Sequence, residues 1–138
     1  MLAFASVVLL AVAAGSAAFG LRYLFVRQYL SYHADLTGLA WCEIPPRYQF
    51  VILGMLKIVG AGMLAFGIAL AWLVLPFSRG ENWATWAIFS LVGANGFVSI
   101  YVTINLRSVN PEAKTNVFPA CSGVILALGA LALTSVVR

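Results

Sequence analysis

Four long apolar stretches, separated by three more polar connections, set the pattern of this 138-residue chain. They cover about residues 2–21, 48–75, 83–106 and 117–137. None shows the strict alternation of a half-buried strand, and none keeps one helical face polar. Each run is therefore apolar on every side. A membrane-spanning strand would show about ten residues of polar–apolar alternation instead. A backbone in hydrocarbon must satisfy its own hydrogen bonds, which leaves the α-helix. At about 20 residues per span, four spans and three connections use nearly the whole chain. The pattern predicts an all-α fold: a single-domain, integral membrane four-helix bundle over residues 1–138.

The runs differ in their ends. The first carries no charge and lacks the basic opening of a signal peptide. Ala13, Ala14 and Ala17 would suit a cleavage site, but the apolar stretch exceeds the usual signal length, so it reads as a retained helix. The second is interrupted only by Lys57 and runs between Pro45-Pro46 and Pro76. As a helix its 28 residues would reach roughly 42 Å, longer than the hydrocarbon core, so it must tilt or project. The third begins with Trp83 and Trp86 and has Tyr101 near its end, the placement of an interfacial aromatic belt. The fourth lies between Pro111 and Pro119 on one side and Arg138 on the other.

The connections are unequal. Residues 77–82 predict a tight hairpin containing Gly80, and residues 107–116 a short turn on Asn110-Pro111. Residues 22–47 mix Tyr23, Phe25, Tyr29, Tyr32 and Trp41 with Arg22, Arg27, His33, Asp35 and Glu43. That mixture predicts a helix continuing out of the first span and then a segment lying at the membrane surface, making the first connection partly interfacial.

Composition agrees with the bilayer reading. The chain is 63% apolar and 9% charged, whereas a soluble domain carries about 25% charged residues and could not cover its surface with so few. The net charge of +4 comes from basic residues placed singly at the ends of runs, not in a patch, which excludes a nucleic-acid surface. The first and third connections hold Arg22, Arg27, Arg47, Arg107 and Lys114, while the opposite side holds Arg79 and Arg138. Five against two predicts cytoplasmic first and third connections and both termini outside.

Small residues recur along three runs. Ala61, Ala65 and Ala69 repeat every four residues on the second, and Ala11, Ala14 and Ala18 mark the first. Ala120, Gly123, Ala127, Ala130 and Thr134 alternate three and four apart on the fourth. Gly54, Gly60, Gly62 and Gly67 also read as packing positions. Lipid gives helices no hydrophobic reason to associate, so such positions predict close helix contact, within the bundle or between copies.

Few residues offer chemistry. Lys57 falls inside a span, where an unpaired ammonium at mid-bilayer costs about 2.5–3.5 kcal/mol. It either snorkels to the headgroups or is partly buried beside Glu43 or Asp35. Asn95, between Gly93-Ala94 and Gly96, needs a hydrogen bond from a neighbouring helix or a ligand. His33 with Asp35 is too little for a metal site, and no cofactor motif appears. Cys42 and Cys121 form no C-x-x-C pair and read as unrelated small residues; a disulfide between them requires both ends to face an oxidising compartment. No nucleophile elbow surrounds any serine.

Tyr32-His33, Pro45-Pro46-Arg47, Leu56-Lys57-Ile58-Val59-Gly60, Pro76-Phe77 and Gly80-Glu81-Asn82-Trp83-Ala84-Thr85-Trp86-Ala87 together resemble the pattern of small four-span bacterial inner-membrane proteins. The glycine-rich second span is similar to that of the DoxX-like group. That resemblance implies a four-span fold and brings no activity. Ala17-Ala18-Phe19-Gly20-Leu21-Arg22-Tyr23 resembles the first helix of bacterial fluoride channels, but Ser90-Leu91-Val92-Gly93-Ala94-Asn95-Gly96-Phe97 lacks their ion-coordinating break.

The expected function is thus a non-enzymatic membrane protein that works by helix–helix association, as a homo-oligomer or a small subunit of a membrane complex. The alternative is a transporter or ion pathway using Lys57 and Asn95 in a dimer. A lipid-acting enzyme would have to use His33, Asp35 and Glu43 at the interface.

Overall fold

The computed structural model describes residues 2–110, 123–129 and 131–132. All regular structure among them is helical: α1 (Leu2–Leu24), α2 (Ser31–Thr37), α3 (Pro46–Ser78) and α4 (Asn82–Val109), with a 3₁₀ turn at Trp41–Glu43. Residues 123–129 are also helical. The rest of the expected fourth span lies outside the described residues, as do Lys114, Ala120, Cys121, Ala130 and Thr134. Helices α1, α3 and α4 are long and apolar enough to cross a membrane, yet at most 22% of each apolar window is buried. Their remaining apolar surface needs a lipid solvent, which identifies a membrane-embedded, all-helical chain.

Each long helix outruns its expected span, because the apolar pattern stops where the membrane does and the helix need not. Pro46 starts α3 at a position where a missing N–H costs nothing. Pro76 was expected beyond that helix, but α3 passes through it to Ser78. Proline forfeits one backbone bond there, and the chain leaves the helix within a turn, so little is lost. The end is a Schellman turn: Glu81 N–H donates to Pro76 O at 3.2 Å and Gly80 N–H to Phe77 O at 2.9 Å. Gly80 takes φ +81°, which a side chain would resist. This turn sends α4 back antiparallel to α3.

Helices α1 and α3 share most of the helix–helix contact, and α3 meets α4 over a much smaller area. The α1–α3 seam is built on glycines. A Cβ on Gly20 would lie 2.6 Å from Leu64 N and 2.7 Å from Gly60 O. One on Gly60 would lie 2.8 Å from Gly20 O, and one on Gly67 2.6 Å from Ala13 O. Ser16 Oγ donates across the seam to Met63 O at 2.9 Å. The alanine stripes do not form this seam. Ala61, Ala65, Ala11, Ala14 and Ala18 are exposed and Ala69 is half-buried. The seam follows Ala13, Ala17 and Gly20 against Gly60, Leu64 and Gly67, because only absent side chains let two backbones touch.

The hydrophobic core lies toward the Gly80 end. There Leu9 and Ala13 of α1, Phe77, Val74 and Leu70 of α3, and Ala84, Ile88 and Val92 of α4 join Ala127 and Leu131 in one buried cluster. Gly123 sits half-buried with its would-be Cβ 4.0 Å from Val12, and Gly96 of α4 abuts Val124. A second, smaller cluster closes the other end, around Tyr29, Ile44 and Leu56.

Candidate functional sites: a surface cap and an open face of α4

The connection between α1 and α3 folds into a cap over the projecting start of α3. Its apolar underside is Tyr29 and Ile44 packed with Leu56, flanked by Tyr23, Val26, Ala34, Trp41 and Ile52. The ring of Trp41 meets that of Tyr29 edge-on at 5.0 Å. Polar groups then tie the cap to three helices. Tyr23 of α1 and Tyr32 of α2 share a hydroxyl hydrogen bond, and Tyr29 OH donates to Leu39 O. Gln49 Nε2 donates to Trp41 O at 2.8 Å and Ile44 O at 3.0 Å, pinning the 3₁₀ turn to the first turns of α3. Asn110 Nδ2 donates to Asp35 O at 2.7 Å, so the end of α4 reaches the cap as well.

His33 and Glu43 play parallel parts. Leu30 N–H donates to His33 Nδ1 at 3.1 Å, and Ala40 N–H to a Glu43 carboxylate oxygen at 2.6 Å. Each side chain reaches back to the backbone amide preceding its own helical turn, one half of a capping box. Leu30 and Ala40 carry no acceptor to return the bond. His33 also lies against Tyr32, with ring centroids 3.9 Å apart. Burial pushes its imidazole below the usual range, and burial also raises the Tyr32 phenol, reinforced by its bond with Tyr23. The Leu30 bond needs an unprotonated Nδ1. Gly38, at φ +68°, ends α2 with its N–H on Ala34 O at 2.8 Å.

Lys57 is not buried, contrary to the expectation of a partly buried ammonium beside an acid. It is exposed, and it makes no ion pair or hydrogen bond among the described residues. Glu43 is engaged by Ala40, and Asp35 meets Asn110 through its carbonyl, not its carboxylate. The seam explains why no acid is needed. The would-be Cβ of Gly60 lies 2.9 Å from Leu24 N, so residue 60 is level with the end of α1. Lys57 stands about one turn beyond that, next to Leu56 of the cap cluster. The lysine stem points toward the helix start, so the ammonium reaches the headgroup region directly.

Asn95 lies elsewhere. Lys57 is 23 residues before Gly80 and Asn95 is 15 after it (80 − 57 and 95 − 80). At 1.5 Å per residue they differ in depth by about 12 Å. The structure therefore does not bring Lys57 and Asn95 into one site. On α4, Asn95 projects within about 20° of Ile88, seven residues earlier. Ile88 is fully buried, whereas Asn95 is exposed. Gly96 is the last buried residue of α4, and the rest of the helix is open along this side. Asn95 makes no hydrogen bond among the described residues.

Among the described residues, no three of His, Cys, Asp and Glu gather where a metal could be held. Cys42 is an exposed free thiol in the cap; its proposed relation to Cys121 lies outside the described residues. Sequence reasoning passed over Gln49 and Ser16, and read Asn110 only as part of a turn. The signal for Gln49 was available: an amide in the opening turns of an apolar run must find a partner. No protein-family model, curated protein or solved structure matches this chain.

Proposed function

We propose that this chain is a four-span bacterial inner-membrane protein, with the cap in the cytoplasm and both termini outside, that works by associating in the plane of the bilayer. The partner in this reading is a second copy, met through the Asn95 side of α4. The observation that carries it is Asn95 itself: an exposed amide midway along a spanning helix, with no hydrogen-bond partner among the described residues, in line with Ile88, which is core seven residues earlier. An amide exposed to lipid wants a hydrogen bond, and asparagine is both donor and acceptor, so two copies satisfy each other. Gly93 and Ala94 beside it leave room, since a Cβ on Gly93 would meet nothing within 4 Å. The helical segment 123–129, with Ala127 buried in the core, supports the fourth span.

Light scattering of the protein in mild detergent tests the reading, and dimers are expected. Asn95→Leu removes about 0.6 kcal/mol per interhelical bond, so two bonds weaken the dimer by roughly eightfold. Ala61→Leu, on the exposed side of α3, is expected to leave the dimer unchanged. A strictly monomeric protein, or a dimer indifferent to Asn95→Leu, would overturn the assignment.

A further inference from the structure

The cap end carries a loose ring of exposed cations. Arg22, Arg27, Arg47, Lys57 and Arg107 are all exposed, and none forms an ion pair among the described residues. Among the described residues the carboxylates of the cap are Asp35 and Glu43, and Glu43 is held by the Ala40 amide. The hairpin end differs: Arg79 and Glu81 flank Gly80 and balance in charge.

Depth gives the ring its meaning. Arg22 lies in the last turn of α1, and Lys57 stands one turn past the level where Gly60 meets Leu24. Arg107 lies in the last turn of α4, whose end is fastened to the cap. Three spans thus each bring a cation toward the cap end, at depths that spread over about 13 Å. Large exposed apolar side chains stand among them, namely Phe25, Tyr48 and Phe50. The Arg47 guanidinium lies 5.1 Å from the centre of the Tyr48 ring. Aromatics between cations suit a zone that is apolar on one side and anionic on the other. A soluble acidic protein would fit cations standing clear of the bilayer, and Arg22 and Lys57 instead project from the sides of spanning helices.

We propose that this ring binds the headgroups of anionic phospholipids, so that the cap end gathers acidic lipid around the bundle. Each cation near an anionic leaflet attracts it and loses that attraction within a Debye length. The site is a surface and not a pocket, so its selectivity is for charge, not for one headgroup structure.

The test uses the full chain in lipid vesicles and reads motional restriction of spin-labelled phosphatidylglycerol against spin-labelled phosphatidylcholine. Phosphatidylglycerol is expected to be preferred by about threefold or more, and the preference to collapse in high salt. Replacing all five cations by glutamine is expected to abolish it, while Arg79→Gln leaves it intact. Should the fivefold variant fail to fold, Arg47→Gln and Lys57→Gln singly are each expected to lower it. Equal restriction of the two lipids overturns the proposal, as does a preference that survives these substitutions or falls with Arg79→Gln. Displacement of the labelled lipid by millimolar inorganic phosphate would reveal a small-anion site instead. Displacement by polyglutamate at stoichiometric amounts would reveal a protein-docking surface.

Discussion

His33 holds the third position of α2 and accepts the Leu30 amide proton at Nδ1, where a capping box ordinarily places Glu or Gln. Glu43 does the same work for the neighbouring 3₁₀ turn with a carboxylate oxygen. Imidazole accepts only while Nδ1 is bare, and burial keeps the folded imidazole below its usual 6.5. The unfolded cap therefore binds a proton more readily than the folded one. Cap stability is complete above about pH 6.5 and declines as pH falls through that value toward the lower folded pKa. Trp41, packed on Tyr29, reports the change: its emission is expected to shift between pH 7 and 5 as the cap loosens. His33→Glu keeps an acceptor throughout that interval and is expected to flatten the response. An unchanged slope in His33→Glu would exclude His33 as the titrating group. The sequence marked His33 as interfacial but not as a cap, because its partner is a backbone amide that no side-chain pattern announces. The sequence left Lys57 open between snorkelling and partial burial for a related reason. An apolar run shows that a residue falls inside it, whereas its depth depends on where α1 ends beside α3.

At the scale of helices, the first three apolar runs were legible to within a few residues because lipid demands continuous apolar surface. Which side of each helix meets its neighbour was not. Alanine satisfies both a lipid-facing and a packing position, so the stripes at Ala61, Ala65, Ala11 and Ala14 carry no direction. The true seam depends on Gly20, Gly60 and Gly67, where a Cβ would strike backbone atoms at 2.6–2.8 Å. Backbone cannot move aside as a side-chain tip can. Gly20→Ala and Gly67→Ala are each expected to cost about 1–3 kcal/mol through forced separation of α1 and α3. Gly54 and Gly62 lie on the same α3 helix with nothing within 4 Å of a would-be Cβ. Gly54→Ala and Gly62→Ala are expected to be neutral or to stabilise by up to about 1 kcal/mol through helix propensity. Unfolding in mixed mild and denaturing detergent, followed by circular dichroism, distinguishes the two pairs. Equal effects at all four positions would show that the seam is not the tight contact of the fold.

For the whole molecule, the two ends are built differently, and the difference bears on the proposed orientation. The hairpin end is closed by the main core and a single tight turn at Gly80. The opposite end carries the projecting start of α3, the cap and the five exposed cations. Basic residues near span ends resist transfer across the inner membrane, so the cap end is expected to stay in the cytoplasm. Cys42 provides a reporter without adding any group, since it is an exposed free thiol within the cap. With Cys121 replaced by serine, a membrane-impermeant maleimide added to intact cells is expected to leave Cys42 unmodified. The same reagent is expected to modify it once the inner membrane is opened. A cysteine introduced at Ser78, exposed at the hairpin end, is expected to show the reverse and react in intact cells. Reaction of Cys42 in intact cells would invert the orientation and move the cation ring to the outer leaflet of that membrane. Reaction at both positions in intact cells would contradict a spanning α3 altogether, because that one helix separates them by about 50 Å.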